Sequence, residues 1–164
     1  MSKITLSIAA AALVAASVAE AQVPRAKSEA SIGGQSVSVE YGRPSLKGRD
    51  MLGMAPHGTI WRTGADTSTT FTSAGELSSG GKTIPAGSYS LFTKRVDDKT
   101  WHLIFNKQTG QWGTEHDAGQ DAVEVPLEWS QAGSSVEEFT IEVGASGLEM
   151  TWGTHVLALP LSAK

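Results

Sequence analysis

Residues 41–66 read YGRPSLKGRDMLGMAPHGTIWRTGAD and gather Arg43, Lys47, Arg49, His57, Trp61, Arg62 and Asp66 among glycines and prolines. A guanidinium matches a carboxylate or phosphate through two parallel hydrogen bonds, so Arg43, Arg49 and Arg62 converging on one point would make an anion receptor. The same arginines would serve the scaffold instead if each found a carboxylate of its own. Trp61, and Trp112 in the later segment 107–121, stand near glycines in irregular chain. Such rings offer flat faces to a sugar or aromatic ligand, or they plug the open end of a fold. The ligand-binding candidates are therefore Arg43, Lys47, Arg49, Trp61, Arg62, Asp66 and Trp112. An ion pair between Arg62 and Asp66 is expected to aim the guanidinium.

Catalysis has thinner support. Asp66 with His57 or Arg62 supplies an acid or base for hydrolase-type chemistry, but a nucleophile with its base is not evident. The chain has no cysteine, no Gly-x-Ser-x-Gly and no Ser-x-x-Lys at a strand-to-helix turn. His57, His102, His116 and His155 do not pair with one another at metal-ligand spacing, and Glu115-His116-Asp117 reads as a solvated loop. No metal and no cofactor is expected. Neither Gly33-Gly34 nor Gly80-Gly81 opens a helix, so no nucleotide-type phosphate loop is present.

The residues ahead of this stretch read as an export leader. Met1-Ser2-Lys3 is a short basic start, residues 4–18 are apolar but for Thr5, Ser7 and Ser17, and Ala19-Glu20-Ala21 places small residues where signal peptidase reads them. Cleavage is expected after Ala21, leaving a periplasmic or secreted domain over residues 22–164. The apolar run falls short of the roughly 20 residues needed to span a bilayer, so stable membrane insertion is not expected. With no cysteine to cross-link it, the domain must be held by its own core. Domains near 150 residues bury about 68 to 70% of the surface their unfolded chains expose, which is enough for that.

Charge is divided along the chain. Residues 22–107 carry eleven Lys and Arg against seven Asp and Glu, a balance of +4, and residues 108–164 carry one against nine, a balance of −8. Two halves of opposite sign either neutralise one another across the fold or leave a basic pocket on an acidic body. With a pI near 5.5 and no basic stripe, nucleic acid is not an expected partner.

Hydrophobic patterning is that of short strands. Val37, Val39 and Tyr41 alternate with Ser36, Ser38 and Glu40, the period of two that gives a strand one buried and one wet face. Gly33-Gly34 turns the chain into it from a strand over residues 25–32. Across residues 44–58 glycine and proline recur too densely for a helix or a central strand. Met51, Leu52 and Met54 are expected to anchor this segment to the core. Strands resume over residues 59–63 and 68–73, and residues 83–92 read as a turn at Pro85 and Gly87 followed by a strand with Tyr89 and Leu91 on one side. A turn at residues 96–99 closes a hairpin into residues 100–106, where Trp101, Leu103 and Phe105 share a face, and these last two strands are expected at the sheet centre. After the irregular segment 107–121 come four apolar runs, 123–129, 139–143, 148–152 and 156–161, with Pro126 suggesting an edge. The fold class is all-β, an antiparallel β-sandwich or jelly-roll-like domain.

Five stretches, YGRPSLKGRDMLG, IWRTGADTSTTFT, IPAGSYSLFT, WHLIFNK and QWG, stand in an order and spacing that resembles the exported bacterial proteins of the domain-of-unknown-function 2911 family. The resemblance covers residues 37–161. It implies a shared exported fold, and because that family has no assigned activity it implies no reaction. Where members carry Asn-Glu after WRTGA, this chain has Asp66-Thr67.

The residues themselves point first to a non-catalytic module that binds a small polar or anionic ligand such as a sugar or a cell-envelope fragment. A hydrolase using Asp66 with His57 or Arg62, and a structural envelope protein, are the alternatives. Oligomeric state is not legible.

Overall fold

The computed structural model describes residues 21–164, so the expected leader lies outside the described residues except for Ala21. The fold is all-β and antiparallel, as the patterning predicts. Its opening hairpin pairs β1 (Arg25–Ile32) with β2 (Gln35–Gly42) through Gly33 and Gly34 at φ 56° and 86°. Two consecutive left-handed residues are what a two-residue hairpin turn requires, and glycine adopts them without steric cost.

The remaining strands are β3 (Ile60–Trp61), β4 (Thr70–Ser73), β5 (Leu77–Ser79), β6 (Lys82–Ile84), β7 (Gly87–Arg95), β8 (Trp101–Asn106), β9 (Asp121–Gly144), β10 (Gly147–Pro160) and β11 (Ser162–Ala163). The main sheet runs β1-β2-β4-β7-β8-β9-β10 with β3 added beside β7, and β11-β5-β6 form a small second sheet. The β7–β8 hairpin sits mid-sheet as expected, with Arg95 opposite Trp101 and Ser90 opposite Asn106. Trp101, Leu103 and Phe105 are all buried, which fixes the strand phase read from the sequence.

The sheet curls until its ends nearly meet. Past β2 the chain continues as Pro44 to Leu46, where the Leu46 amide donates to the Glu137 carbonyl at 3.0 Å and the Phe139 amide to the Pro44 carbonyl at 2.9 Å. Beside them the Val143 amide donates to Ser28 Oγ of β1 at 2.8 Å. The first residues of the irregular stretch thus form the seam that closes the barrel-like sheet, around a core that includes Phe71, Leu91, Phe105, Phe139 and Trp152.

Four expected runs have become two long strands. Residues 123–129 and 139–143 belong to the single strand β9, and residues 148–152 and 156–161 to β10, apart from Leu161. Register shifts flank Gly153, so the pair bends there instead of breaking. β9 is interior in the sheet order, not an edge. Its ladder to β10 nevertheless ends at Glu128 opposite Ala158, while Pro126 faces His102 of β8, so the proline has a partner on one side alone. The strand expected over residues 59–63 contracts to Ile60–Trp61 because Thr63 turns left-handed at φ 53°.

Candidate functional site

The segment WRTGADTST is held by hydroxyl groups. β3 and β4 both pair with β7, β4 opposite Gly87 to Ser90 and β3 opposite Thr93 and Lys94, so the chain between them must loop out and return. Thr63 Oγ1 meets Thr93 Oγ1 at 2.8 Å, Thr69 Oγ1 donates to the Thr63 carbonyl at 2.7 Å, and the Leu91 amide donates to the Thr69 carbonyl at 2.9 Å. All three threonines are fully buried and satisfied. This accounts for a threonine-rich sequence where a plain strand would carry valine: the side chains supply hydrogen bonds that the looped backbone cannot.

The segment QWG docks on this loop. Thr67 bridges Trp112, the Ser68 amide donates to the Gln111 carbonyl at 3.0 Å, and the Gly113 amide donates to the Asp66 carbonyl at 2.8 Å. Gly113 sits so close that a β-carbon there would lie 2.7 Å from Arg62 Cδ and 2.8 Å from the Asp66 oxygen. The absence of a side chain at 113 is what lets Arg62 lie along this surface.

Arg62 and Asp66 do not pair. Asp66 instead accepts the Val23 amide at 2.8 Å through Oδ2, tying the start of the described chain to the loop. Arg62 is half-buried, and among the described residues it makes no hydrogen bond and no ion pair. Nor does Asp66 meet His57, whose Nε2 lies 3.0 Å from Asp98 Oδ1, so the expected acid–base partnership is not formed.

The other arginines have different fates. Arg43 is consumed by β9: it donates to the Phe139 carbonyl at 3.3 Å and to Thr140 Oγ1 at 3.1 Å, and it pairs with Glu138 at 3.2 Å. Lys47 is exposed, and its backbone amide, not its side chain, is bound, by Glu137 at 2.9 Å. Arg49 is exposed and donates from Nε to the Leu46 carbonyl at 3.3 Å. The three arginines therefore do not converge. Arg95 does what none of the candidates does. Buried at 7% exposure, it donates to the carbonyls of Leu52, Gly53 and Ala55, pairs with Asp98 at 3.0 Å, and lies over the Trp101 ring at 5.5 Å. It is the post around which residues 50–58 are wound, and His155 holds their first residue, with Nε2 3.0 Å from Asp50 Oδ1.

Two cavities adjoin under this loop. One of about 310 Å³ is walled by Trp61, Trp101, Trp152, Leu52, Met51 and Met54, with Arg49 and Arg95 among its remaining lining. The other, about 540 Å³, is walled by Ile60, Trp61, Arg62, Phe92, Gly113 and His116, with Met51 again contributing. Trp61 and Met51 are common to both and stand between them. Trp61 stacks on Trp152 at 5.3 Å and meets Phe139 edge-on at 4.9 Å, so the divider is braced by the core. Met54 and Ile60 are 69% and 41% exposed at the openings; Leu52 is the anchor that the sequence promises, and Met54 is not. Trp101 Nε1 is buried without a hydrogen-bond partner.

On the wall of the larger cavity His116 is oriented by a chain of hydrogen bonds. Its Nε2 lies 2.9 Å from Asp121 Oδ1, which also accepts Asn106 Nδ2 at 2.7 Å, and its ring rests on Phe92 at 4.5 Å. With Nε2 engaged, Nδ1 is the ring nitrogen left to a ligand. Trp112 is 44% exposed outside both cavities, so of the two tryptophans expected at the site only Trp61 is on a cavity wall.

Three carboxyls, two just after Arg95 and one on β9, are held low. The Lys99 and Thr100 amides hold Asp97 below its ordinary value, the hydrogen bond and charge of His57 do the same for Asp98, and the hydrogen bond from His102 at 2.6 Å, with the charge of Lys94, does so for Glu124.

The walls that sequence reasoning missed are Met51, Phe92, Arg95, Trp101, His116 and Trp152. Arg95 had a readable signal: it is in phase with the inward Tyr89 and Leu91, a charge at a core position of its strand. His116 had none, since its carboxylate partner is Asp121 rather than a neighbour in the triplet.

Comparison with known proteins adds kinship and stops there. No curated protein and no solved structure matches the chain. The family described as "Protein of unknown function (DUF2911)" matches residues 23–161. That span takes in both cavities, the seam and every one of the five motifs, and the chain belongs to this family.

Proposed function

We propose that the protein is an exported, non-catalytic binding protein whose ligand is a small anion held at Arg62 in the larger cavity. One observation carries this reading: a half-buried guanidinium on a cavity wall, laid in place by Gly113 and left without a partner among the described residues, while Arg43 and Arg95 are saturated. A planar cation desolvated on one side and free on the other binds a carboxylate or phosphate more strongly than one in open water. His116 and Trp61 line the same cavity and add a polar contact and an apolar face.

The experiment is thermal unfolding with a panel of small anions, acetate, phosphate, a uronic acid and a dicarboxylate, for wild type and Arg62→Gln. A binder present at a hundred times its Kd stabilises the fold by about 2.7 kcal/mol. The expected result is a rise in Tm for wild type that the variant lacks. Without ligand the two should unfold within about 0.5 kcal/mol of each other, because Arg62 has no partner to lose. A variant that unfolds early, or that still responds to the same anion, defeats the reading.

A further inference from the structure

Resting on the reading of Arg62 as an anion site, we infer that the ligand is an anionic amphiphile: a free molecule with one aliphatic chain, its head at Arg62 and its chain passing Trp61 and Met51 into the smaller cavity. The two cavities have these two side chains in common, so they lie side by side on either face of Trp61 and Met51, within reach of one ligand. That space is close to the lower limit of about 300 Å³ for sites that enclose small ligands.

Its chemistry selects the occupant. Trp61, Trp101, Trp152, Leu52 and the two methionines present carbon, sulfur and ring faces, and the buried Arg95 has spent its nitrogens on the carbonyls of residues 52–55, on the Asp97 carbonyl and on Asp98. A sugar seated here would bury more hydroxyls than Arg49, Thr59 and the unpartnered Trp101 Nε1 can satisfy, at a cost of kilocalories each, whereas methylene groups lose nothing. Methionine is unbranched and polarisable, suited to a site that must close over a chain of variable shape. Met54 and Ile60, apolar and exposed at the openings, extend the same surface outward. Arg62 is at one end of this path and most of the carbon at the other, where Arg49 is the exposed charge in the lining. That arrangement complements a carboxylate with a tail and leaves a neutral lipid or a bare anion half-matched.

The test is a chain-length series, acetate, hexanoate, octanoate and decanoate, titrated below their micelle concentrations and followed by intrinsic tryptophan fluorescence and calorimetry. The expected result is a Kd that tightens about fourfold for each added methylene until the cavity is full, because each buried methylene contributes on that scale. Arg62→Gln should weaken every member at least tenfold. Ala55→Phe, which fills the smaller cavity from its edge, should abolish the dependence on length while acetate still binds, with Tm confirming that the variant is folded. Acetate and phosphate binding through Arg62 with no gain from the chain would overturn the amphiphile and leave the anion site standing. Octanoate binding that is indifferent to Arg62→Gln would overturn both. Sedimentation with phosphatidylglycerol vesicles separates a free ligand from a membrane surface: the protein should stay in the supernatant, and binding to vesicles equally by wild type and Arg62→Gln would overturn the inference.

Discussion

An arginine whose nitrogens the fold has used and one whose nitrogens it has spared look alike in a sequence. Arg43, Arg49 and Arg62 all stand among glycines and prolines, yet Arg43 is bound to β9, Arg49 gives its Nε to its own loop beside the smaller cavity, and Arg62 lies on the wall of the larger one with no hydrogen bond among the described residues. What separates them is where β9 passes, some 90 residues later in the chain, and no local spacing encodes that. The region of the site was legible from its density of charge in irregular chain; the particular residue was not. Gly113 shows how the difference is enforced. A methyl group there would press on Arg62 Cδ and the Asp66 carbonyl, so Gly113→Ala is expected to cost about 1–3 kcal/mol by overpacking. It should also lower anion affinity, because Arg62 must move. Urea unfolding and the acetate titration, run on the same preparation, measure both. Unchanged affinity in a destabilised protein would mean that Gly113 serves only the docking of the QWG segment.

At the scale of elements, the alternation of apolar and polar residues located β2, β7 and β8 with their phases, because a half-buried strand must obey a period of two, and the Gly33-Gly34 turn placed β1 ahead of β2. It failed on β9 and β10. Serine, alanine and glycine between the apolar runs of 123–129 and 139–143 read as punctuation, but in an exposed, bent part of a long strand they stay extended, held by the ladder on each side of the bend. The central strands are also tied by ionisable groups. Glu124 on β9 accepts from His102 on β8 and lies 3.6 Å from Lys94 on β7. Its folded pKa is depressed below the ordinary 4.5, so the stabilisation it brings is complete above about that pH and is lost as pH falls through the lower folded value. In the Glu124→Gln variant this contribution is missing at every pH. The Tm of wild type should therefore exceed that of the variant at pH 6, and the gap should close below about pH 4 as the wild-type carboxyl takes up a proton. A gap that persists undiminished to pH 3 would show that Glu124 acts through packing.

For the molecule as a whole, the opposed charges of its halves meet in part and leave Arg62 unpaired among the described residues. Arg43 pairs with Glu138 and Lys94 with Glu124, each across the division between the basic and acidic parts of the chain. Closure of the curled sheet depends on the same boundary, through the two backbone hydrogen bonds that join Pro44 and Leu46 to β9. Three residues beyond Leu46 the loop over the smaller cavity begins. The chain that zips the barrel shut is therefore also the stalk of the flap above the site, and a breathing motion that unzips it would swing that flap aside. Amide hydrogen exchange reads this out directly. The amides of Leu46 and Phe139 should exchange together with those of residues 51–55, as one unit opening at a common rate, well ahead of the amides of β7 and β8. Occupying the cavities with octanoate should slow all of them by the same factor. A Leu46 amide that exchanges as slowly as that of Leu103 would mean that the flap moves without the seam. If they do move as one, ligand entry has a toll set by the folding of the barrel itself, and the association rate would fall with every substitution that tightens the seam even though none of them touches the ligand.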